Sequence, residues 1–194
     1  VGNTQKCTKE VYMDVITALK ERRSIRKYKP DAVADMDLEE VLEAARWAPS
    51  WANTQCWELI VVKDSDTKKK LAETMPSGNP ACSALRAAPI VIVACAQAGK
   101  SGFFKGKPVT DKGDWCMFDV ALAMHSLTLA AHSRGLGTVH VGFFDAKEVA
   151  RILEVPESVT VVEMTPLGYP DETVKPPSRK ALHDFVSYEK FGSR

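Results

Sequence analysis

WCMFDVALAMHSLTLAAHSRGLGTVHVG, residues 115–142, carries the longest helical pattern in the chain and runs straight into a strand pattern. Residues 115–134 are apolar on most sides. A helix with no broad polar face belongs inside a domain, so this one is expected at the buried centre. Gly135 ends it, since glycine takes the left-handed conformation of a helix stop without strain. GTVHVG, 137–142, then reads as a short strand.

The pattern extends both ways from this centre. Downstream, DAKEVARIL (145–153) reads as a helix, VTVVEMTPLGY (159–169) as the last strand, and DETVKPPSRKALHDFVSYEKF (171–191) as a charged, proline-containing tail. Upstream, GKSGFFKGKPVTDKGD (99–114) is a long polar loop interrupted by Phe103 and Phe104. Loops of that length usually have a function. APIVIVACA (88–96) and WELIVVKD (57–64) are apolar, β-branched runs with the look of buried strands. Between them lie a short charged helix, DTKKKLAETM (66–75), and PSGNPACSALRA (76–87), a loop with one helical turn at most. DMDLEEVLEAARWAPS (35–50) is a helix that Asp35 or Asp37 can cap and Pro49 stops. Val11, Val15, Ile16 and Leu19 fall at helical spacing and predict an amphipathic helix over 10–21. Two leading helices and a long central one, mixed with four strands, suit an α+β sandwich rather than a regular βαβ array. Without a repeat or an interdomain linker, residues 1–194 read as a single domain.

Bulk composition narrows the function. The 194 residues carry a net charge of +1, with 45% hydrophobic and 26% charged residues. A neutral chain lacks the basic excess of a nucleic-acid binder, so any anion site must be local. The five cysteines are Cys7, Cys56, Cys82, Cys95 and Cys116, with no C-x-x-C pair. That pattern argues against a disulfide framework or a metal site and points to a reducing, cytoplasmic setting. No run reaches the length of a membrane span, and the polar VGNTQKCTKE gives no expectation of a signal peptide.

Two clusters carry chemical promise. ALKERRSIRKYKP, residues 18–30, concentrates Arg22, Arg23, Ser24 and Arg26. In an extended segment Arg22, Ser24 and Arg26 face one way and Arg23 the other. Two guanidinium forks and a hydroxyl suit a phosphate. Basic residues also complement the carboxyl end of the preceding helix, so spacing alone leaves both readings open. APSWANTQCW, 48–57, places Ser50, Asn53, Thr54 and Gln55 between a helix stop and a strand start. Amides that donate and accept suit a heterocycle edge, with Trp51 and Trp57 available for stacking. A polar loop with two core-anchoring tryptophans satisfies the same pattern.

Other motifs fail on context. GLGTVHVG (135–142) follows a helix and opens a strand, the reverse of a dinucleotide fingerprint. Gly142, at the strand end, can admit a ligand close to the backbone. The glycine spacing of GKSGFFKGKP does not make a P-loop, and His125 and His132 lack a zinc-binding pattern. Phe103 and Phe104 form either a substrate lid or a loop anchor.

Taken in order, RRSIRKY, APSWANTQCWEL, GLGTVHVGFFD, VVEMTPLGYP and SRKALHDFVSYEKF resemble the nitroreductase family of FMN-dependent oxidoreductases. The resemblance implies an α+β sandwich with a mostly antiparallel sheet, built as an intertwined homodimer. FMN would lie at the dimer interface, with the tail from about 171 to 194 packing on the partner subunit. Arg22, Arg23, Ser24 and Arg26 would hold the phosphate, ribityl chain and flavin edge, with Arg179 and Lys180 adding a second grip. Pro49, Ser50, Trp51, Asn53 and Gln55 would come from the partner subunit, and His140, Val141 and Gly142 would run along the flavin. Trp51, Phe103 and Phe104 would border the substrate. The chain departs from the pattern at Trp51, where a small residue is common, and at Cys56, where proline is. The implied reaction is ping-pong reduction of nitroaromatic, quinone or similar acceptors by NADH or NADPH through the flavin, with no catalytic side chain and no metal. The alternatives are other flavin chemistry (reductive dehalogenation, ring oxidation, flavin fragmentation) and an FMN-binding redox protein without turnover.

Overall fold

A computed structural model describes residues 13–194. Its pivot is β2, Ile90–Gln97, buried at every position from 90 to 96. Side chains of a strand alternate between faces. Ile90, Ile92, Ala94 and Ala96 join one core and Val91, Val93 and Cys95 a second core on the opposite face. Both faces are covered, which is why PIVIVACA shows no polar alternation. β2 pairs antiparallel with β1 (Trp57–Val62) and with β6 (Val159–Gly168), and β6 also pairs with β5 (Gly137–Thr138), giving the order β1-β2-β6-β5. The expected α+β sandwich is the observed architecture.

The first core face packs against α2 (Asp35–Arg46) and α5 (Cys116–Ser133), the second against α3 (Ser65–Glu73), α4 (Ala81–Ala87) and α6 (Ala146–Ile152). Cys95 is buried with its thiol pushed up to about 11 by that burial, the behaviour of a small core residue.

Several expectations need correction. The first helix, α1, is Val15–Glu21, because the Asp14 carboxylate accepts the Ile16 and Thr17 amides at 3.0 and 3.1 Å and caps it there. Residues 10–12, with Val11, lie outside the described residues, as does Cys7. Val15, Ile16 and Leu19 are exposed rather than buried. α5 is not covered on all sides, since Met117 and Phe118 are 58% and 54% exposed and Ala121 and His125 continue that stripe at helical spacing. Ala34, not an aspartate, occupies the cap position of α2, and Asp37 instead bonds Arg134 at 2.8 Å. The segment 76–87 contains seven-residue α4, where Asn79 Oδ1 accepts the Ala81 amide at 3.0 Å. Within 99–114, Phe103–Phe104 (β3) pairs with Lys107–Pro108 (β4) in a small hairpin. Pro and Gly punctuation concealed both elements. No helix among the described residues is long and apolar enough to cross a membrane.

Candidate functional site: a basic cleft, a strained loop and an open strand

The chain leaves α1 at Arg22 and lies along the sheet edge. Ser24 bridges Thr138 in parallel, and the Ile25 amide donates to the Thr138 carbonyl at 2.9 Å. Ile25 and Tyr28 are buried and anchor the segment. This close approach needs Gly137: a Cβ there would stand 2.8 Å from the Ile25 Cβ, closer than carbon atoms pack. Nothing local demands that glycine; its packing against Ile25, far off along the chain, does.

Anchored in this way, Arg22, Arg23, Ser24 and Arg26 line a cleft of about 260 Å³ together with Val174, Lys175, Pro177 and Arg179. The tail thus brings Arg179 to the basic segment from more than 150 residues away in sequence. Arg23 shares the cleft rather than facing away. Lys180 is not among the lining residues, and Lys175, which the sequence reading passed over, is. Among the described residues no carboxylate forms an ion pair with Arg22, Arg23, Arg26 or Arg179. Arg23 Nη1 donates to the Lys20 and Arg22 carbonyls at 2.6 and 2.8 Å, so Arg23 does complement the helix end. Its Nε is buried without a partner. Burial, and then the charges of Arg23 and Arg179, push the Arg22 pKa down. Cations gathered at some electrostatic cost are suited to a multiply charged anion with several acceptor oxygens. Glu172 steadies the segment by its backbone, accepting the Lys27 amide at 3.1 Å and the Arg26 amide.

The second cluster folds into a tight turn, with a 3-10 turn at Trp51–Asn53. Ala52, Asn53 and Gln55 have φ of 43°, 57° and 46°. Each such angle costs a non-glycine residue about 1–3 kcal/mol and persists only where the surroundings enforce it. The Ser50 hydroxyl accepts the Gln55 amide at 3.0 Å, and Gln55 Nε2 donates to Asn53 Oδ1 at 3.1 Å. Asn53 and Gln55 are exposed and Trp51 half-buried, its ring 5.2 Å from that of Trp115. Beneath the turn lies Asp119, fully buried on α5. It accepts the Trp51 amide at 3.0 Å and the Thr54 hydroxyl at 3.3 Å. Sequence reasoning missed it, although a lone carboxylate in the apolar run CMFDVALAM was the available signal, since a buried charge requires donors. Cys56 is buried, donates to Asp119 at 3.7 Å, and has its pKa raised, first by burial; it is a packed thiol and not a reactive one. In the hairpin, Phe103 is half-buried and Phe104 is 66% exposed with Lys105 Nζ 5.4 Å from its ring centre.

The third piece follows β5: the strand expected over 137–142 is confined to Gly137–Thr138, and beyond it Val141 makes a single bridge. Val141 is buried and exchanges both backbone hydrogen bonds with Met164, at 2.9 and 3.0 Å. Its N–H is therefore engaged within the chain. His140 and Gly142 face outward. Glu163 receives His140 Nδ1 at 2.9 and 3.0 Å from its two oxygens. A Cβ at Gly142 would meet nothing within 4 Å, so packing inside this chain does not demand the glycine. The backbone there is open to an external body.

The two-sided α+β sandwich carries these three elements, and comparison with known proteins gives its class. The model of the Nitroreductase family matches residues 19–81 and 76–169. The chain belongs to that family. An NADH dehydrogenase of Thermus thermophilus is 30% identical, covering 90% of this chain and 95% of the relative. An FMN reductase [NAD(P)H] of Bacillus subtilis is 31% identical over 84% of this chain and 69% of its own length. Among solved structures, an FMN-dependent nitroreductase from Clostridium difficile R20291 superposes with a TM-score of 0.76 at 30% identity, over 91% of this chain and 99% of that one.

Proposed function

We propose that this protein is an FMN-dependent NAD(P)H oxidoreductase that reduces nitroaromatic, quinone or similar planar acceptors. The observation that carries the cofactor is the cleft in which Arg22, Arg26 and Arg179 converge with no ion pair to a carboxylate among the described residues. These guanidiniums and the Ser24 hydroxyl fit a phosphate monoester, and the open backbone at Gly142 fits a planar ring laid along the strand end. FMN held there by Arg22, Arg26, Arg179 and Ser24 would supply the hydride relay between NADH or NADPH and the acceptor. The chain's part would be to position that group and set the charge around it.

The residues lining the basic cleft come from 22–26 and 174–179, without a contribution from 50–55. A second subunit resolves this, bringing Ser50, Trp51, Asn53 and Gln55 to the first subunit's flavin. The exposed apolar stripes of α1 (Val15, Ile16, Leu19) and α5 (Met117, Phe118), and Leu182, Phe185 and Phe191 of the tail, are the faces such a homodimer covers. Trp51, large and braced by Trp115, narrows the pocket in favour of thin, flat acceptors.

The test is an anaerobic visible spectrum of the FMN-loaded protein before and after NADH and then NADPH, followed by addition of a nitroaromatic or a quinone. The expected result is bleaching by at least one nucleotide and recovery with acceptor over many turnovers. A protein that takes up no FMN, or whose flavin neither nucleotide bleaches, refutes the reading. Light scattering on the same sample is expected to give twice the mass of the chain.

A further inference from the structure

Four donors converge on the Asp119 carboxylate. It is buried and collects the Trp51 amide at 3.0 Å, the Thr54 hydroxyl at 3.3 Å, the Cys56 thiol at 3.7 Å and the Ser101 hydroxyl. Positions 51, 54 and 56 bracket the residues with positive φ, 52, 53 and 55. Strained backbone stays strained only where its flanks are fixed, and here one carboxylate grips positions 51, 54 and 56, beside the Ser50 hydroxyl that holds the Gln55 amide. Ser101 also lies 2.7 Å from Thr54, oxygen to oxygen, and its carbonyl accepts the Trp115 amide at 3.0 Å. Gly102 follows at φ 81° and opens the β3–β4 hairpin. The same carboxylate thus grips the turn that presents Asn53 and Gln55 and the root of the hairpin that carries Phe103 and Phe104.

We propose that Asp119 is a positioning residue: it holds the 51–55 turn in its strained form, so that Asn53 and Gln55 are preset for a flavin edge, and it ties that turn to the β3–β4 hairpin. The flavin part rests on the function proposed above; the tie itself does not. Presetting matters because a turn free to relax must be reordered each time the cofactor binds, and the affinity falls by that amount.

The test uses Asp119→Asn in the full chain. Asparagine fills the same volume but trades one acceptor oxygen for an N–H₂ that faces two hydroxyls and a thiol. Amide hydrogen exchange of the FMN-free protein is expected to quicken at least tenfold at 51–56 and at 102–108 together, with β2 and α2 unchanged. FMN affinity is expected to fall at least tenfold at a temperature where the variant is fully folded. Ser101→Ala separates the two ties, quickening 102–108 more than 51–56. Thr54→Val, which leaves Asp119 in place, gives the same local loosening at 51–56 if Asp119→Asn does not fold. A merely structural aspartate would instead quicken exchange throughout the chain and leave FMN affinity unchanged. Wild-type exchange at 51–56 overturns the proposal. Local loosening with wild-type FMN affinity overturns its flavin part. Arg22→Ala, run in parallel, separates this from a failed site: if it too leaves FMN affinity unchanged, the phosphate reading is at fault, and the exchange data alone decide whether Asp119 holds the turn.

Discussion

The basic segment 22–28 and the turn 50–55 solve one problem, presenting polar side chains in a fixed geometry, by opposite means. The basic segment is held by its backbone. Ser24 and Ile25 bond to the edge strand at Thr138, Gly137 makes room for that contact, and among the described residues the arginine side chains form no ion pair with a carboxylate. The turn is held by a side chain from elsewhere, the Asp119 carboxylate, and its own backbone is strained at three positions. A backbone-held segment can vary its side chains without losing its course. A turn held by one buried carboxylate cannot lose that carboxylate without changing shape. The first is therefore expected to respond to mutation in affinity alone, the second in conformation and affinity together.

The sharpest way to break this contrast is Arg22→Ala with Arg179→Ala. A charge-assisted hydrogen bond is worth about 1.5–3 kcal/mol, so losing one on each of two residues weakens FMN binding roughly 10²–10⁴-fold. Because these cations repel one another in the free protein, its melting temperature is expected to stay level or rise. A large drop in melting temperature would show that the arginines hold the segment, contrary to the comparison. Next comes Gly137→Val, which drives a side chain into Ile25. Overpacking of this kind costs about 1–3 kcal/mol, read by urea unfolding, and the displaced segment loses FMN affinity as well. If stability were unchanged, the backbone anchor would be dispensable.

The smallest expected effect is a pH dependence. His132 lines the space beside Arg22 and Arg23 with Nε2 buried and unpartnered, and burial first, then those two charges, push its pKa down, with Glu21 opposing. The unfolded chain then binds the proton more tightly, so the stabilising contribution is complete above the unfolded value of about 6.5. It is lost as pH falls through the lower folded value. His132→Gln is expected to flatten the fall in melting temperature below that pH. An equal fall in both proteins would remove His132 from the account.

Much of this site was readable one-dimensionally. RRSIR announced cations before any fold was known, and the tail placed Arg179 in the same family pattern. Lys175 was passed over because nothing local distinguishes it from any solvated lysine; only the path of the tail puts it in the cleft. The central helix misled in one respect. Its mostly apolar composition predicted a place at the buried centre, whereas one stripe of α5 is exposed in the single chain. Composition records that a face avoids water and does not record whether the chain itself or a second copy covers it. α4 and the β3–β4 hairpin escaped notice because Gly and Pro mark their ends, and the same residues also mark plain loops.

The sequence by itself determined the architecture's ingredients: two-sided burial of β2 from an unbroken apolar run, the stop at Gly135, and a dense local cluster of cations in a nearly neutral chain. These are local, set by periodicity, backbone conformational freedom and charge density. Only the tertiary structure decided which glycine the site depends on, which lysine joins the arginines, and that Asp119 lies under the 51–55 turn. Each of those is a contact between residues far apart in the chain. Their meeting is fixed by how the sheet and α5 pack, an outcome of the whole core that no short stretch encodes.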